Sequence, residues 1–123
     1  MNWRREADRI AAEARGRRGE ALACDWLRAQ GFDILAQRIK TPRGEVDIIA
    51  RADGITIFVE VKWRAREADL DFAIDQRRLT RVARAAEVLA PTYVKAGDDM
   101  RIDILLLAPG APVRHIANAW MPM

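Results

Sequence analysis

Three carboxylates and a lysine lie close together in the segment GEVDIIARADGITIFVEVKWR, residues 44–64. They are Glu45, Asp47, Glu60 and Lys62, and they interrupt two runs of isoleucine and valine that are typical of β-strands. Acidic residues are depleted in strands, so their presence here needs a reason beyond folding. Carboxylate oxygens are the ligands that hard divalent cations such as Mg²⁺ prefer. The segment therefore raises the hypothesis of a metal site.

Asp53-Gly54 separates the two runs and predicts a tight hairpin turn, because both residues tolerate a positive φ. One side of this hairpin is predicted to be continuous core, through the pairs Val46–Val61, Ile48–Val59, Ala50–Ile57 and Ala52–Ile55. Since side chains alternate along a strand, the other side places Asp47 opposite Glu60 and Glu45 opposite Lys62.

Directly opposed like charges destabilise a sheet, so Asp47 and Glu60 call for a cation between them. A metal ion there could activate water and offset charge on a phosphate, and Lys62 could stabilise the same phosphate. The alternative is a plain cross-strand ion pair between Glu45 and Lys62, with Asp47 exposed at the rim of the sheet.

Other titratable side chains carry a weaker signal. Glu20 follows GRRG at the predicted start of a helix, where an interaction with the helix dipole explains it equally well. Asp103 is predicted to pair with Arg101 or a neighbouring strand, and His115 to have a surface or packing role. Cys24 is the only cysteine and is interpreted as a packing residue.

Size and composition indicate one globular domain. The chain has 123 residues, of which 50% are hydrophobic and 32% charged, and its pI is about 9.6. No apolar run reaches the roughly 18 residues that span a bilayer, and the charged N-terminus is unlike a secretory signal. We therefore expect no membrane association and a cytoplasmic location.

The predicted elements form an α/β fold. An extension over residues 1–15, which could be helical and break near Gly16 or Gly19, precedes a domain over residues 16–120. The domain is predicted to begin with a helix at 20–30, whose buried face carries Leu22, Trp26 and Ala29 with Ala23 and Leu27 beside them. Strands at 32–39, 45–52 and 55–63 follow, then a loop and a helix at 76–90 ended by Pro91. A strand at 101–108, buried on both faces at its centre, and an edge strand at 113–120 complete the domain. This order predicts helices that flank a mixed sheet.

Arginine outnumbers lysine eighteen to three. Helical spacing places Arg77, Arg81 and Arg84 on an exposed ridge opposite a buried stripe that includes Leu79 and Val82. A second basic cluster comprises Arg15, Arg17 and Arg18. Both clusters could contact a nucleic-acid backbone, although a plain solvated face explains the ridge equally well.

Four segments together resemble one known family. They are GRRGEALACDWLRAQGFDIL, GEVDIIA, FVEVKWR and the closing RIDILLLA with IANAW, and they extend from Gly16 to Trp120 in the family's order. The family is the YraN family, also called UPF0102, of bacterial endonuclease-like proteins. It is similar in its core to the PD-(D/E)XK nucleases, in particular to archaeal Holliday-junction resolvases.

The resemblance implies a restriction-endonuclease-like α-β-β-β-α-β core and cleavage of DNA phosphodiester bonds, in branched or flap structures, with Mg²⁺ or Mn²⁺. By position, Asp47, Glu60 and Glu20 would hold the metal and Lys62 would be the catalytic lysine. Glu45 and Arg64 match family residues whose roles are less settled. Resolvases act as symmetric dimers, so a homodimer is a further expectation.

Departures from the pattern keep two alternatives open. Val46 replaces the usual proline, AQRIK replaces a stretch with asparagine, and Gln76 stands where many members begin the second helix with lysine. The first alternative is a module that binds nucleic acid or a protein without cleaving anything. The second is a structural or interaction protein without nucleic acid.

Overall fold

The computed structural model describes residues 3–120, so Met1 and Asn2 of the predicted extension lie outside the described residues. The elements are α1 (Trp3–Ala29), β1 (Asp33–Thr41), β2 (Gly44–Ala52), β3 (Ile55–Trp63), a 3-10 helix (Glu67–Phe72), α2 (Gln76–Tyr93), β4 (Asp99–Leu107) and β5 (Arg114–Ile116). The predicted α-β-β-β-α-β order is confirmed. The 3-10 helix lies where the sequence predicted a loop.

The five strands form one mixed sheet in the order β1-β2-β3-β4-β5. Strands β3 and β4 are parallel, and the other neighbours are antiparallel. One apolar cluster joins α1 to the sheet and a second joins α2 to it. In β4, Leu105 belongs to the α1 cluster, and Ile104 and Leu106 belong to the α2 cluster. The prediction that this strand is buried on both faces is therefore confirmed.

Helix α1 is continuous, so the predicted break near Gly16 or Gly19 is wrong. Alanine, glutamate and arginine, all good helix formers, surround both glycines and carry the helix through them. Gly19 lies against Trp63, since an added Cβ would be 3.4 Å from the Trp63 Cβ atom. The helix ends as predicted before Gly31, whose φ of 95° suits glycine.

Helix α1 packs through only part of its predicted face, the part that contains Ala23 and Leu27. Ala23, Cys24 and Leu27 are buried, whereas Leu22 is 55% exposed and Trp26 only partly buried. Burial raises the pKa of the Cys24 thiol, in keeping with its predicted packing role. Within residues 3–120, neither long helix is apolar enough to cross a membrane.

The predicted hairpin is confirmed at its turn and along most of its length. Asp53 and Gly54 have φ values of 39° and 80°, as the turn requires. Strands β2 and β3 pair from Ala52–Ile55 to Ile48–Val59, in the predicted register. The paired ladder stops there, so the predicted pairs Val46–Val61, Asp47–Glu60 and Glu45–Lys62 lie beyond it.

The alternation of side chains along β2 also fails at this point. Val46 packs in the α2 cluster, whereas Ile48 and Ala50, predicted to share its face, pack in the α1 cluster. In β1, Arg38 lies between the partners of Val46 and Ile48 and has a φ of 52°, unusual for a residue other than glycine. A backbone irregularity in β1 therefore lies beside the point in β2 where the alternation fails.

Helix α2 begins at Gln76 as predicted, and the Asp75 side chain accepts a hydrogen bond from the Arg77 N–H. Leu79 and Val82 are fully buried, which confirms the predicted stripe. Pro91 does not end the helix, which continues to Tyr93. A proline in the last turn removes a single N–H donor, so the remaining turn persists.

Asp103 attaches the C-terminal strand to the sheet. Its fully buried carboxylate accepts two hydrogen bonds from Arg101, at 2.9 and 3.1 Å. It also accepts the Asn118 N–H at 3.0 Å and lies 2.7 Å from His115 Nε2. The structural interpretation of Asp103 and the packing role of His115 are confirmed. An edge strand forms, but β5 covers only Arg114–Ile116 of the predicted residues 113–120, because Asn118 has a φ of 53° and its N–H turns to the Asp103 side chain.

Candidate functional site

A pocket of about 410 Å³ lies beside the point where β2 and β3 stop pairing. It is bounded by α1, the ends of these strands and α2. The titratable residues that line it are Arg15, Glu20, Asp47, Glu60, Lys62, Arg64 and Arg78. The structure therefore brings together four side chains predicted to be catalytic, from two strands and a helix distant in sequence. We call this pocket the acidic pocket.

Asp47 holds the two separating strands together through its side chain. Its Oδ2 atom accepts a hydrogen bond of 2.8 Å from the Val61 N–H. Since hydrogen-bonded pairs alternate outward from the turn, this N–H would otherwise donate to the Val46 carbonyl. Burial, together with the negative charge of Glu60, raises the pKa of Asp47 to about 7. Asp47 is thus a carboxylate poised between its two protonation states.

Glu60 is the most deeply buried acid of the pocket, with 2% of its surface exposed. Its Oε1 atom accepts a hydrogen bond from Arg78 at 3.1 Å and lies 3.4 Å from the Lys62 ammonium. Its Oε2 atom is buried and has no hydrogen-bond partner among the described residues. A buried acceptor without a partner is costly, so this oxygen suits an additional donor or a cation.

Arg78 is a site residue that the sequence interpretation missed. Its guanidinium bridges Glu45, at 3.0 Å, and Glu60, at 3.1 Å. Burial lowers its pKa, but the negative charges of Glu60 and Asp47 outweigh that effect and the pKa is raised. Helical spacing carried the signal, because Arg78 precedes Val82 and Ala85 on the buried side of α2.

These contacts remove one alternative. A cross-strand pair between Glu45 and Lys62 does not form, because Glu45 pairs with Arg78 and Lys62 pairs with Glu60. Asp47 is also not exposed at a rim, since it lies within the acidic pocket and accepts a backbone hydrogen bond.

Glu20 lies deep within α1 rather than at its start, so its interpretation as a helix-dipole residue is wrong. The helix extends much further toward the N-terminus than predicted, which moved the positive end of the dipole away. Glu20 instead accepts a hydrogen bond of 2.6 Å from Arg38. Its charge contributes to the raised pKa of Asp47, so it lies near the acids.

The donor set fits a divalent cation in part. Across residues 3–120, no three His, Cys, Asp or Glu side chains stand close enough together to hold a metal ion. Mg²⁺, however, binds proteins through one or two carboxylates and keeps several waters. Asp47 and Glu60 supply two carboxylates, and the unpartnered Glu60 oxygen supplies a free acceptor. The third predicted ligand, Glu20, is engaged by Arg38.

The predicted nucleic-acid contacts divide into three groups. Arg15 and Arg64 line the acidic pocket itself. Arg17 and Arg18 are exposed on α1. The ridge of Arg77, Arg81 and Arg84 is exposed on α2, as its spacing predicted.

Fold and pocket together define a small α/β protein with two adjacent acids at the point where two strands of its mixed sheet stop pairing. The family model of the uncharacterised protein family UPF0102 matches residues 19–107. A UPF0102 protein of Erythrobacter litoralis is 59% identical over 93% of this chain and 98% of its own length. The UPF0102 protein of Sphingopyxis alaskensis is 55% identical over 93% of this chain and 98% of its own length. That of Rhizorhabdus wittichii is 49% identical over 91% of this chain and 95% of its own length. The chain belongs to the UPF0102 family.

Proposed function

We propose that this protein is a metal-dependent endonuclease that hydrolyses phosphodiester bonds of DNA, in branched or flap structures. The observation that carries the proposal is the buried, unpartnered Oε2 atom of Glu60, close to Asp47 in an open pocket. Two adjacent acids with one free oxygen are costly in a fold without a ligand and useful in a cation site.

Each side chain then has a role in the acidic pocket. Asp47 and Glu60 would hold Mg²⁺ or Mn²⁺, with Glu20 as a third ligand once it releases Arg38. The cation supplies charge stabilisation at the phosphate and an activated water. Lys62 donates to a phosphate oxygen, and Arg15 and Arg64 orient the strand in the pocket mouth.

A cleavage panel tests the proposal, using duplex, flap and four-way DNA with Mn²⁺. Asp47→Asn and Lys62→Ala should each lower the cleavage rate by roughly 100-fold or more. Asp25→Asn and Lys95→Ala remove matched charges from exposed positions outside the pocket and should leave the rate unchanged. Equal rates in the pocket variants and these controls would contradict the proposal.

Arg78 favours a second candidate function, a module that binds nucleic acid without cleaving it. Its guanidinium already provides a built-in cation between Glu45 and Glu60. This candidate predicts binding that needs no metal, depends steeply on salt and survives Asp47→Asn. Calorimetric titration with Mn²⁺ separates the two candidates, because only the endonuclease binds the metal through Asp47.

A further inference from the structure

A second pocket, of about 500 Å³, is lined by other residues of β2 and α2, the two elements that it shares with the acidic pocket. One wall is the turn between β1 and β2, residues 40–45, and the other carries Arg81 and Arg84 of α2. We call it the basic pocket. Glu45 and Glu60 share the guanidinium of Arg78, so one chain of contacts connects the two pockets.

The walls of the basic pocket are held in fixed positions. Thr41 Oγ1 accepts the N–H groups of Arg43, at 3.2 Å, and Gly44, at 3.1 Å, and donates to the Gly44 carbonyl at 2.8 Å. Gly44 then lies directly against α2, because an added Cβ would overlap the carbonyl oxygen of Arg81. The turn is therefore locked onto the helix, and the pocket between them is preformed.

Positive charge in the basic pocket exceeds negative charge. Lys40, Arg43, Arg81 and Arg84 line it, and the one acid among its described lining residues, Glu45, already pairs with Arg78. Arg43 makes one exposed contact, of 3.4 Å, with Glu87. Lys40, Arg81 and Arg84 have no acidic partner within 4.0 Å in the part of the chain that the structure describes. Converging cations without counter-charges favour an anion.

We propose that the basic pocket binds a backbone phosphate of the nucleic-acid strand that enters the acidic pocket, an inference that rests on the proposed function. Lysine and arginine side chains at phosphate oxygens fix the register of a strand without reading its bases. The pocket would thus position the strand, independently of its sequence, so that another phosphate of that strand reaches Asp47 and Glu60.

Binding of fluorescent oligonucleotides, measured by anisotropy in a buffer with chelator, tests the inference. The variant Lys40→Gln/Arg84→Gln removes two exposed cations that do not support the core. It should bind about 10-fold more weakly at low salt, and the slope of log K against log salt should fall by about 1–2, one contact per cation. The control Arg28→Gln/Lys95→Gln removes the same charge from exposed positions outside both pockets.

An equal loss of affinity in the test and control variants overturns the inference. The inference is also overturned if Lys40→Gln/Arg84→Gln selectively loses affinity for anionic lipid vesicles while its oligonucleotide binding is unchanged. The assay needs no cleavage, so it separates the two proposals. Wild-type protein that binds DNA through this pocket but cuts nothing supports the basic pocket and contradicts the endonuclease. If the wild-type protein cleaves DNA but the test variant loses no more affinity than the control variant, only the proposed role of the basic pocket is contradicted.

Discussion

At the scale of single residues, the acidic pocket is a balance between buried negative charge and a small number of donors. Glu60 has Arg78 and Lys62 on one oxygen and no partner on the other. Asp47 has a backbone donor but also the repulsion of Glu60. The pocket is therefore electrostatically costly without a ligand, and this cost is measurable.

Asp47→Asn should stabilise the ligand-free protein above about pH 7. The folded-state pKa of about 7 lies above the ordinary value of 3.8. The folded state therefore binds more protons than the unfolded state between these values, and wild-type stability falls as pH rises through this window. The Asn side chain keeps an acceptor for Val61, so the gain should be on the order of 1 kcal/mol or more at about pH 8 and vanish near about pH 4.

Thermal unfolding followed by circular dichroism checks this, with Asp8→Asn as a control. Asp8 is an exposed acid of α1, so its replacement should have no comparable pH-dependent effect. If Asp47→Asn instead destabilises the protein equally at both pH values, the Asp47 carboxylate is charged in the folded state and its hydrogen bonds and charge contacts compensate for its burial.

Arg78→Met should lower the free energy of unfolding by about 3 kcal/mol, because it leaves the charge of Glu60 buried with only Lys62 nearby. The double variant Arg78→Met/Glu60→Gln should recover most of this loss, since the uncompensated charge is gone. Urea denaturation measures both values. Arg77→Met, on the exposed side of the same helix, should change stability by less than about 0.5 kcal/mol. Additive losses in the double variant would refute the coupling.

At the scale of elements, close backbone approaches hold the two pockets in place. Strands β2 and β3 stop pairing after Ile48 and Val59, and the Asp47 side chain replaces a main-chain acceptor. Gly19 lets α1 approach Trp63, and Gly44 lets the β1–β2 turn approach α2. The acidic pocket thus depends on the spacing between α1 and β3, and the basic pocket on the contact of the β1–β2 turn with α2.

Two glycine replacements should have opposite effects on stability. Gly16→Ala should stabilise the protein by about 0.5–1 kcal/mol, because Gly16 lies in a helix and has nothing within 4 Å of an added Cβ. Gly44→Ala should destabilise it by about 1–3 kcal/mol, because the new methyl group overlaps the Arg81 carbonyl. Melting temperatures of both variants check the signs. Stabilisation by Gly44→Ala would mean that the turn does not lie against α2.

At the scale of the whole molecule, the start of α1 from Arg5 and the segment that ends at Trp120 differ in how many contacts join them to the core. Side chains from Arg5 to Glu13 in α1 are exposed, including Ile10 at 53%. By contrast, the Asn118 N–H donates to Asp103 and the Ala119 N–H to the Ile102 carbonyl, at 2.7 Å. Trp120 also packs against the α2 cluster.

Because the side chains of residues 5–11 are exposed, we expect removal of residues 1–11 to change the free energy of unfolding by no more than about 0.5 kcal/mol. Removal of the chain after Ala117 should cost several times as much, because the buried Asp103 carboxylate loses the Asn118 donor. Chemical denaturation of both truncated proteins compares them directly. A large loss from the N-terminal truncation alone would reverse this ranking of the two ends.

The sequence by itself predicted most of the fold and part of the site, because local signals dominate there. The Asp53-Gly54 turn, the hairpin register and the stripe of Leu79 and Val82 follow from turn chemistry and from side-chain periodicity. Periodicity also placed the arginine ridge on the exposed side of α2. The predicted end of α2 at Pro91 and the predicted break of α1 near Gly16 or Gly19 were wrong. Good helix formers on both sides of the glycines continue α1, and Pro91 lies in the last turn of α2, where it removes only one N–H donor.

Only the tertiary structure decided how the acids are paired. Alternation predicted that Asp47 faces Glu60 across a regular ladder, but the strands separate there and the Val61 N–H bonds to the Asp47 side chain. Arg78 lies 33 residues from Glu45 and 18 residues from Glu60 in sequence, yet it contacts both from α2. The sequence determined that carboxylates gather beside Lys62. Their burial, and the guanidinium between them, depend on contacts between distant elements, which no local pattern encodes.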